Sequence, residues 1–118
     1  MPALRLLASQ LAACMCVSLV GGCAVAENDA APAWIKERTA QLEALPAGHP
    51  PRAIYQGTLE GKPVFYLTPT CCDIPSELYD ADGKLLCYPS GGFAGGDGRC
   101  PGFVVDEKRM RLVWRDKR

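Results

Sequence analysis

With 118 residues the chain has room for one small domain. Thirteen lysines and arginines balance thirteen aspartates and glutamates, so no net charge steers it toward nucleic acid or a strongly acidic partner. The signs do segregate, with acids between Asp73 and Asp97 and bases from Lys108 onward; the plain reading is two solvated faces rather than a binding tail.

Residues 1–22 carry one early positive charge, Arg5, and then an apolar run from Leu6 to Val20 broken by Ser9, Gln10 and Ser18. A basic start followed by a short apolar stretch is the pattern of an export signal. The run is shorter and more interrupted than the roughly 20 apolar residues of a membrane-spanning helix. It closes on Val20-Gly21-Gly22-Cys23, which resembles a bacterial lipobox, where small residues precede the cysteine that takes lipid through its thiol. Leu11-Ala12-Ala13-Cys14 is a competing match, but it leaves too little apolar stretch before it. An ordinary cleaved signal with Cys23 as a bystander is the third reading. The lipobox resemblance implies lipidation at Cys23 and a stable anchor, since more than one acyl chain is then attached. Ala24 follows the cysteine, and in lipoproteins resembling this one that favours the outer membrane, facing the periplasm, over the inner membrane. Residues 23–31 then form a lipidated cysteine with a small, polar tether, and residues 32–118 a single domain.

A helix is expected from about Pro32 to Leu45. Proline is tolerated in the first turn. Ile35, Leu42 and Leu45 recur at helical spacing, with Trp34 and Arg38 flanking that face; Trp34 reads as a core anchor. Pro46 to Pro51 ends the helix. His49, the one histidine, has no partner nearby for base catalysis or metal binding.

Two strand-like runs follow, Ala53–Leu59 and Pro63–Thr68, rich in β-branched and aromatic residues and joined through Glu60-Gly61-Lys62. A second hairpin is expected from Glu77–Tyr79 and Lys84–Tyr88 around Asp80-Ala81-Asp82-Gly83, where aspartate closes the turn with its own side chain and glycine accepts positive φ. Calcium is a poor reading of this turn. Lys84 and Gly91 stand at the fifth and twelfth positions, where an EF-hand needs oxygen ligands.

Ser90–Gly98 places five glycines in nine residues. Gly91 and Gly96 have the spacing of a phosphate loop, but Asp97 and Gly98 occupy the places where it needs lysine and serine or threonine, so the P-loop reading fails. The bland reading is a tight loop that needs glycine backbone freedom; the functional one is a binding loop built on Phe93 and Asp97. The chain ends in a short helical turn near Asp106–Met110 and an edge strand at Arg111–Trp114, its basic residues discouraging edge-to-edge pairing. Along that strand Leu112 and Trp114 should alternate with Arg111, Val113 and Arg115.

Of seven cysteines, Cys14 and Cys16 fall in the leader and Cys23 at the lipobox. Cys71, Cys72, Cys87 and Cys100 remain, an even set that in an exported protein implies two disulfides. A bond between the neighbours Cys71 and Cys72 would close a strained small ring. Each should therefore reach Cys87 or Cys100, and Cys72–Cys87 with Cys71–Cys100 is preferred because it avoids crossed loops. Zinc fits poorly, since ligand cysteines usually come as spaced pairs. Redox chemistry would show Cys-x-x-Cys near a βαβ unit.

Cys71-Cys72-Asp73, Leu78-Tyr79-Asp80, Cys87-Tyr88-Pro89-Ser90-Gly91-Gly92 and Gly96-Asp97-Gly98-Arg99-Cys100 together resemble the core of a bacterial family of small exported proteins catalogued as a domain of unknown function. That resemblance extends over roughly residues 32–118, including Trp34-Ile35 and Trp114, and implies no activity, cofactor or catalytic residue. The expected fold is a small α+β domain stapled by disulfides, with an N-terminal helix on antiparallel β-hairpins. Without a nucleophile–base pair or metal-ligand spacing, the expected function is a non-enzymatic binding or structural module of the cell envelope. Its partners are the membrane, through the lipid anchor, and an envelope protein or surface ligand. The alternatives are a small enzyme or protease-inhibitor-like protein using loop 90–98 and, third, a thiol redox protein.

Overall fold

A computed structural model describes residues 31–71 and 73–118; the leader, Cys14, Cys23, most of the tether and Cys72 lie outside the described residues. Helix α1 spans Ala33–Glu43, with Pro32 at its N-cap. Five strands follow, β1 Ala53–Leu59, β2 Lys62–Leu67, β3 Glu77–Asp80, β4 Leu85–Cys87 and β5 Arg111–Arg115, with a short 3-10 turn at Glu107–Arg109 before the last. They form one antiparallel sheet in the order β4-β3-β2-β1-β5. The fold is thus a small α+β domain, with β5 at one edge.

The sheet has an apolar core on each face because residues alternate along its strands. Ile54, Phe65 and Leu67 face α1 and pack on Ile35 and Leu42, with Trp34, Tyr79, Val113 and Trp114 closing the rim. Ala53, Tyr55, Val64, Tyr66, Leu78 and Cys87 form the opposite core. There the cover is loop, through Leu59, Leu86, Cys100, Phe103 and Met110.

Helix α1 has no side-chain cap at its start, so tertiary contacts fix it. The Trp34 ring sits edge-on to Phe65 at 5.5 Å and its Nε1 donates to Ala81 O at 2.9 Å. Gly83 is required beneath that ring: its φ is 85° and a Cβ there would come within 2.8 Å of Trp34. At the other end, Arg118 donates to the carbonyls of Leu45 (2.9 Å) and Leu42 (3.4 Å), supplying partners and positive charge to the negative pole of the helix. Asp116, buried, holds that guanidinium through a 2.6 Å ion pair. Hydrogen bonds from Arg118 pull the Asp116 carboxyl down to about 2. Leu45, expected on the buried stripe, lies past the helix and is half-exposed.

Two local details depart from the alternation read in the sequence. The first hairpin turns on two residues, Glu60 (φ 52°) and Gly61 (φ 76°), the double positive φ that matches strand twist, so Lys62 already belongs to β2. In β5 a bulge opposite Ile54 and Tyr55 shifts the register. Val113 and Trp114 therefore share the helix face, while Arg115 reaches Tyr55 on the other. The second hairpin follows the sequence closely, with Asp80 Oδ1 accepting from the amides of Asp82 and Lys84 at 2.9 Å each.

Candidate functional site

The glycine-rich segment leaves β4 at Cys87 and returns at Cys100, and the two cysteines are joined. Their Cα atoms lie 6.1 Å apart, within the normal span of a disulfide. This overturns the expected pairs Cys72–Cys87 and Cys71–Cys100, and the crossed alternative with them. The glycines between the two cysteines fold the chain back on itself and bring Cys87 to Cys100. Cys71 is exposed on the loop ahead of β3.

Two further sets of bonds hold the base of the closed loop. Ser76, fully buried, donates through its backbone amide to Ser90 O at 2.8 Å. Its hydroxyl lies 3.0 Å from that same oxygen and also accepts from Ser90 N at 3.0 Å. The Ser90 hydroxyl shares protons with Ser76 Oγ (2.8 Å) and the Tyr66 hydroxyl (3.2 Å). Pro75 pairs with Gly91 as an isolated bridge. Across the loop, Asp97 accepts from the amides of Arg99 (3.0 Å) and Tyr88 (3.1 Å) and donates its own amide to Tyr88 O (2.9 Å). These bonds, that from Arg99 above all, lower the Asp97 pKa. Gly96, at φ 121°, brings its backbone so close to Pro89 O that a Cβ would stand 2.8 Å away. Asp97 and Phe93, paired by the sequence reading, thus do different things: Asp97 shapes the loop with both oxygens, and Phe93 stands at its tip fully exposed. A hollow of about 300 Å3 runs beneath, between Pro75, Tyr88 and Phe93.

A second concavity, about 490 Å3, lies on the loop-covered face between Pro50, Pro51, Pro69, Tyr55 and Tyr66. The Tyr55 hydroxyl accepts from Arg115 at 2.8 Å and donates to Glu107 at 3.2 Å, so its polar groups satisfy one another. Sequence reasoning missed this cluster because its members come from three separated segments. His49 is exposed in the turn before β1, in a cis bond to Pro50. Among the described residues no group of three or more histidine, cysteine, aspartate or glutamate side chains could hold a metal ion. Nor is any helix among them long and apolar enough to cross a membrane.

No curated protein and no solved structure matches the chain. Residues 40–116 match a family model described as a domain of unknown function, DUF6970. The match takes in most of the chain, the sheet and the closed loop included, and the protein belongs to the DUF6970 family.

Proposed function

We propose that the protein is a non-enzymatic binding module of the cell envelope, anchored by lipid on Cys23 and presenting the closed loop 88–99 to a protein partner. The observation that carries this reading is Phe93, an aromatic side chain with no cover, held on a loop fixed by a disulfide, the Ser76–Ser90 pair and Asp97. An exposed aromatic costs solvation unless something covers it, and aromatics dominate the energetics of interfaces. Fixing the loop beforehand removes the ordering cost that binding otherwise meets. The lipobox-like end of the leader supports the anchoring half of the proposal.

A benzoylphenylalanine at position 93 should give one discrete crosslinked adduct in intact cells, and the same group at position 62, on the hairpin, should not. Phe93→Ala should remove that partner while leaving the melting temperature unchanged. No adduct from position 93, or the same adducts from both positions, sinks the binding half. Mass spectrometry of the membrane fraction tests the anchor: acyl mass on Cys23 is expected, and Cys23→Ser should release the protein. A protease-inhibitor reading draws on the same rigidity of the disulfide-closed loop. Inhibition of a protease by the wild type, lost in Phe93→Ala, would favour it instead.

A further inference from the structure

A cleft of about 200 Å3 opens between the C-terminal end of α1 and the segment leading from β2 into β3. Its wall is apolar, with Leu42 and Leu67 buried and Ile74 half-exposed at the rim. Two guanidinium groups also line it, Arg38 from the helix and Arg52 from just before β1. The one acid there is Glu77, already held by Arg38 Nη2 at 3.2 Å and by the Tyr79 hydroxyl. The cleft therefore carries one net positive charge beside an apolar surface. Arg38 is also incompletely partnered. Its Nη1 reaches Gln41 at 3.4 Å, and its Nε is the one buried side-chain donor or acceptor without a partner among the described residues. Arg52 spends one nitrogen on Pro46 O at 2.9 Å.

We infer that this cleft binds a carboxylate carried on a short apolar body. A monoanion cancels the surplus charge, and guanidinium recognises carboxylate geometry with two donors at once. The apolar part lies on Leu42, Leu67 and Ile74 and gains from leaving water. The volume is below the roughly 300–1,000 Å3 of sites that enclose drug-sized ligands, which selects a small acid or the last residue of a chain. Both offer the same chemistry. The site is separate from Phe93 and does not depend on lipid at Cys23.

The test is an amide-shift titration of the purified full chain with isovalerate, its neutral isostere isovaleramide, and acetyl-Gly-Leu with a free carboxyl or as the amide. A ligand of this size should bind with a Kd on the order of 1 mM, moving amides near Arg38, Leu67 and Ile74. The amides should bind at least about tenfold more weakly than the acids. Arg52→Gln should weaken the acids by a similar factor, while Leu112→Ser, on β5, should leave binding unchanged. Equal binding of isovalerate and acetyl-Gly-Leu supports the site with a free acid as its ligand; much tighter peptide binding supports it with a chain terminus. Acid and amide behaving alike, shifts that persist in Arg52→Gln, or no shifts near the cleft would overturn it. Arg38→Gln can unfold the protein by stranding Glu77, so Arg52→Gln and the acid–amide contrast are the deciding measurements.

Discussion

The two faces of the sheet are filled by different means. On one, a single helix lays Ile35 and Leu42 over Ile54, Phe65 and Leu67, and Trp34 seals the edge against Phe65 and Tyr79. Contact area does most of the stabilising there, with Arg38–Glu77 and Arg118 as latches at the rim. Among the described residues no α-helix covers the other face. Loops cover Tyr55, Tyr66, Leu78 and Cys87, and loops have little regular hydrogen bonding of their own to hold them down. Point attachments take over: the Cys87–Cys100 bond, the Ser76–Ser90–Tyr66 hydroxyls, and Tyr55 between Arg115 and Glu107. A face held by area resists perturbation until the whole domain yields, whereas a face held at points loosens one point at a time. The loop that carries Phe93 and the tyrosine concavity both belong to the pinned side.

The largest expected effect tests the area side. Phe65→Ala should cost about 3–5 kcal/mol, much of the roughly 5–15 kcal/mol that holds a typical domain. Urea denaturation should show helix and sheet lost together; a helix signal that melts separately would break the comparison. Next comes the pinned side. Replacing Cys87 and Cys100 together by alanine should cost about 3 kcal/mol by the entropy of a loop of this length. Hydrogen exchange should quicken across residues 88–103 well before α1, and equal loss of protection in α1 would mean the faces are not independent. Ser76→Ala is smaller, about 1–2 kcal/mol, because it leaves the Ser90 amide without its acceptor in a buried place. Its signature should be faster exchange at residues 88–91 with an unchanged helix.

The smallest effect sharpens the comparison through pH. Burial first, then the hydrogen bond to Glu77, pushes the Tyr79 hydroxyl up to about 12 from an ordinary 10. A raised acid favours the neutral form in the folded state. That contribution is complete below pH 10 and disappears as pH rises from about 10 to 12. Thermal melts should fall in that window for the wild type, and Tyr79→Phe should flatten the fall. Acid does the reverse at the helix end. Asp116, lowered to about 2, contributes above the ordinary carboxylate range and loses its contribution as pH falls through 4 toward 2.

The area side was the more legible in sequence. The spacing of Ile35 and Leu42, the Glu60-Gly61 turn and the Asp80–Gly83 turn are local signals, and each appears close to where the residues place it. The expected antiparallel hairpins and the edge position of β5 follow from the same local rules. The pinned side depends on which distant residues meet, and periodicity carries no record of that. Nothing near Ser76 says that it will face Ser90, and Glu107 and Arg115 converge on Tyr55 only after β5 has paired with β1. The bulge that puts Val113 beside Trp114 leaves no local mark either. The cysteine pairing was illegible for a related reason: avoidance of crossed loops is a weak rule beside a glycine-rich stretch that folds straight back. Asp97 stands out in sequence for its charge, yet its placement beside Gly96 and Gly98 suits an aspartate that ties down backbone amides.

The positions of Trp34 and Pro75 along β3 set a direction for the whole molecule. The chain enters the domain at Trp34, which rests on the turn at Ala81–Gly83. The Pro75–Gly91 bridge lies beyond the other end of β3, whose four residues span about 13 Å of strand. If the proposed lipid anchor holds the chain ahead of Pro32, the domain is held at one pole of the sheet while Phe93 projects near the opposite pole. Under that proposal the domain would act as a standoff, carrying its aromatic tip away from the anchored end.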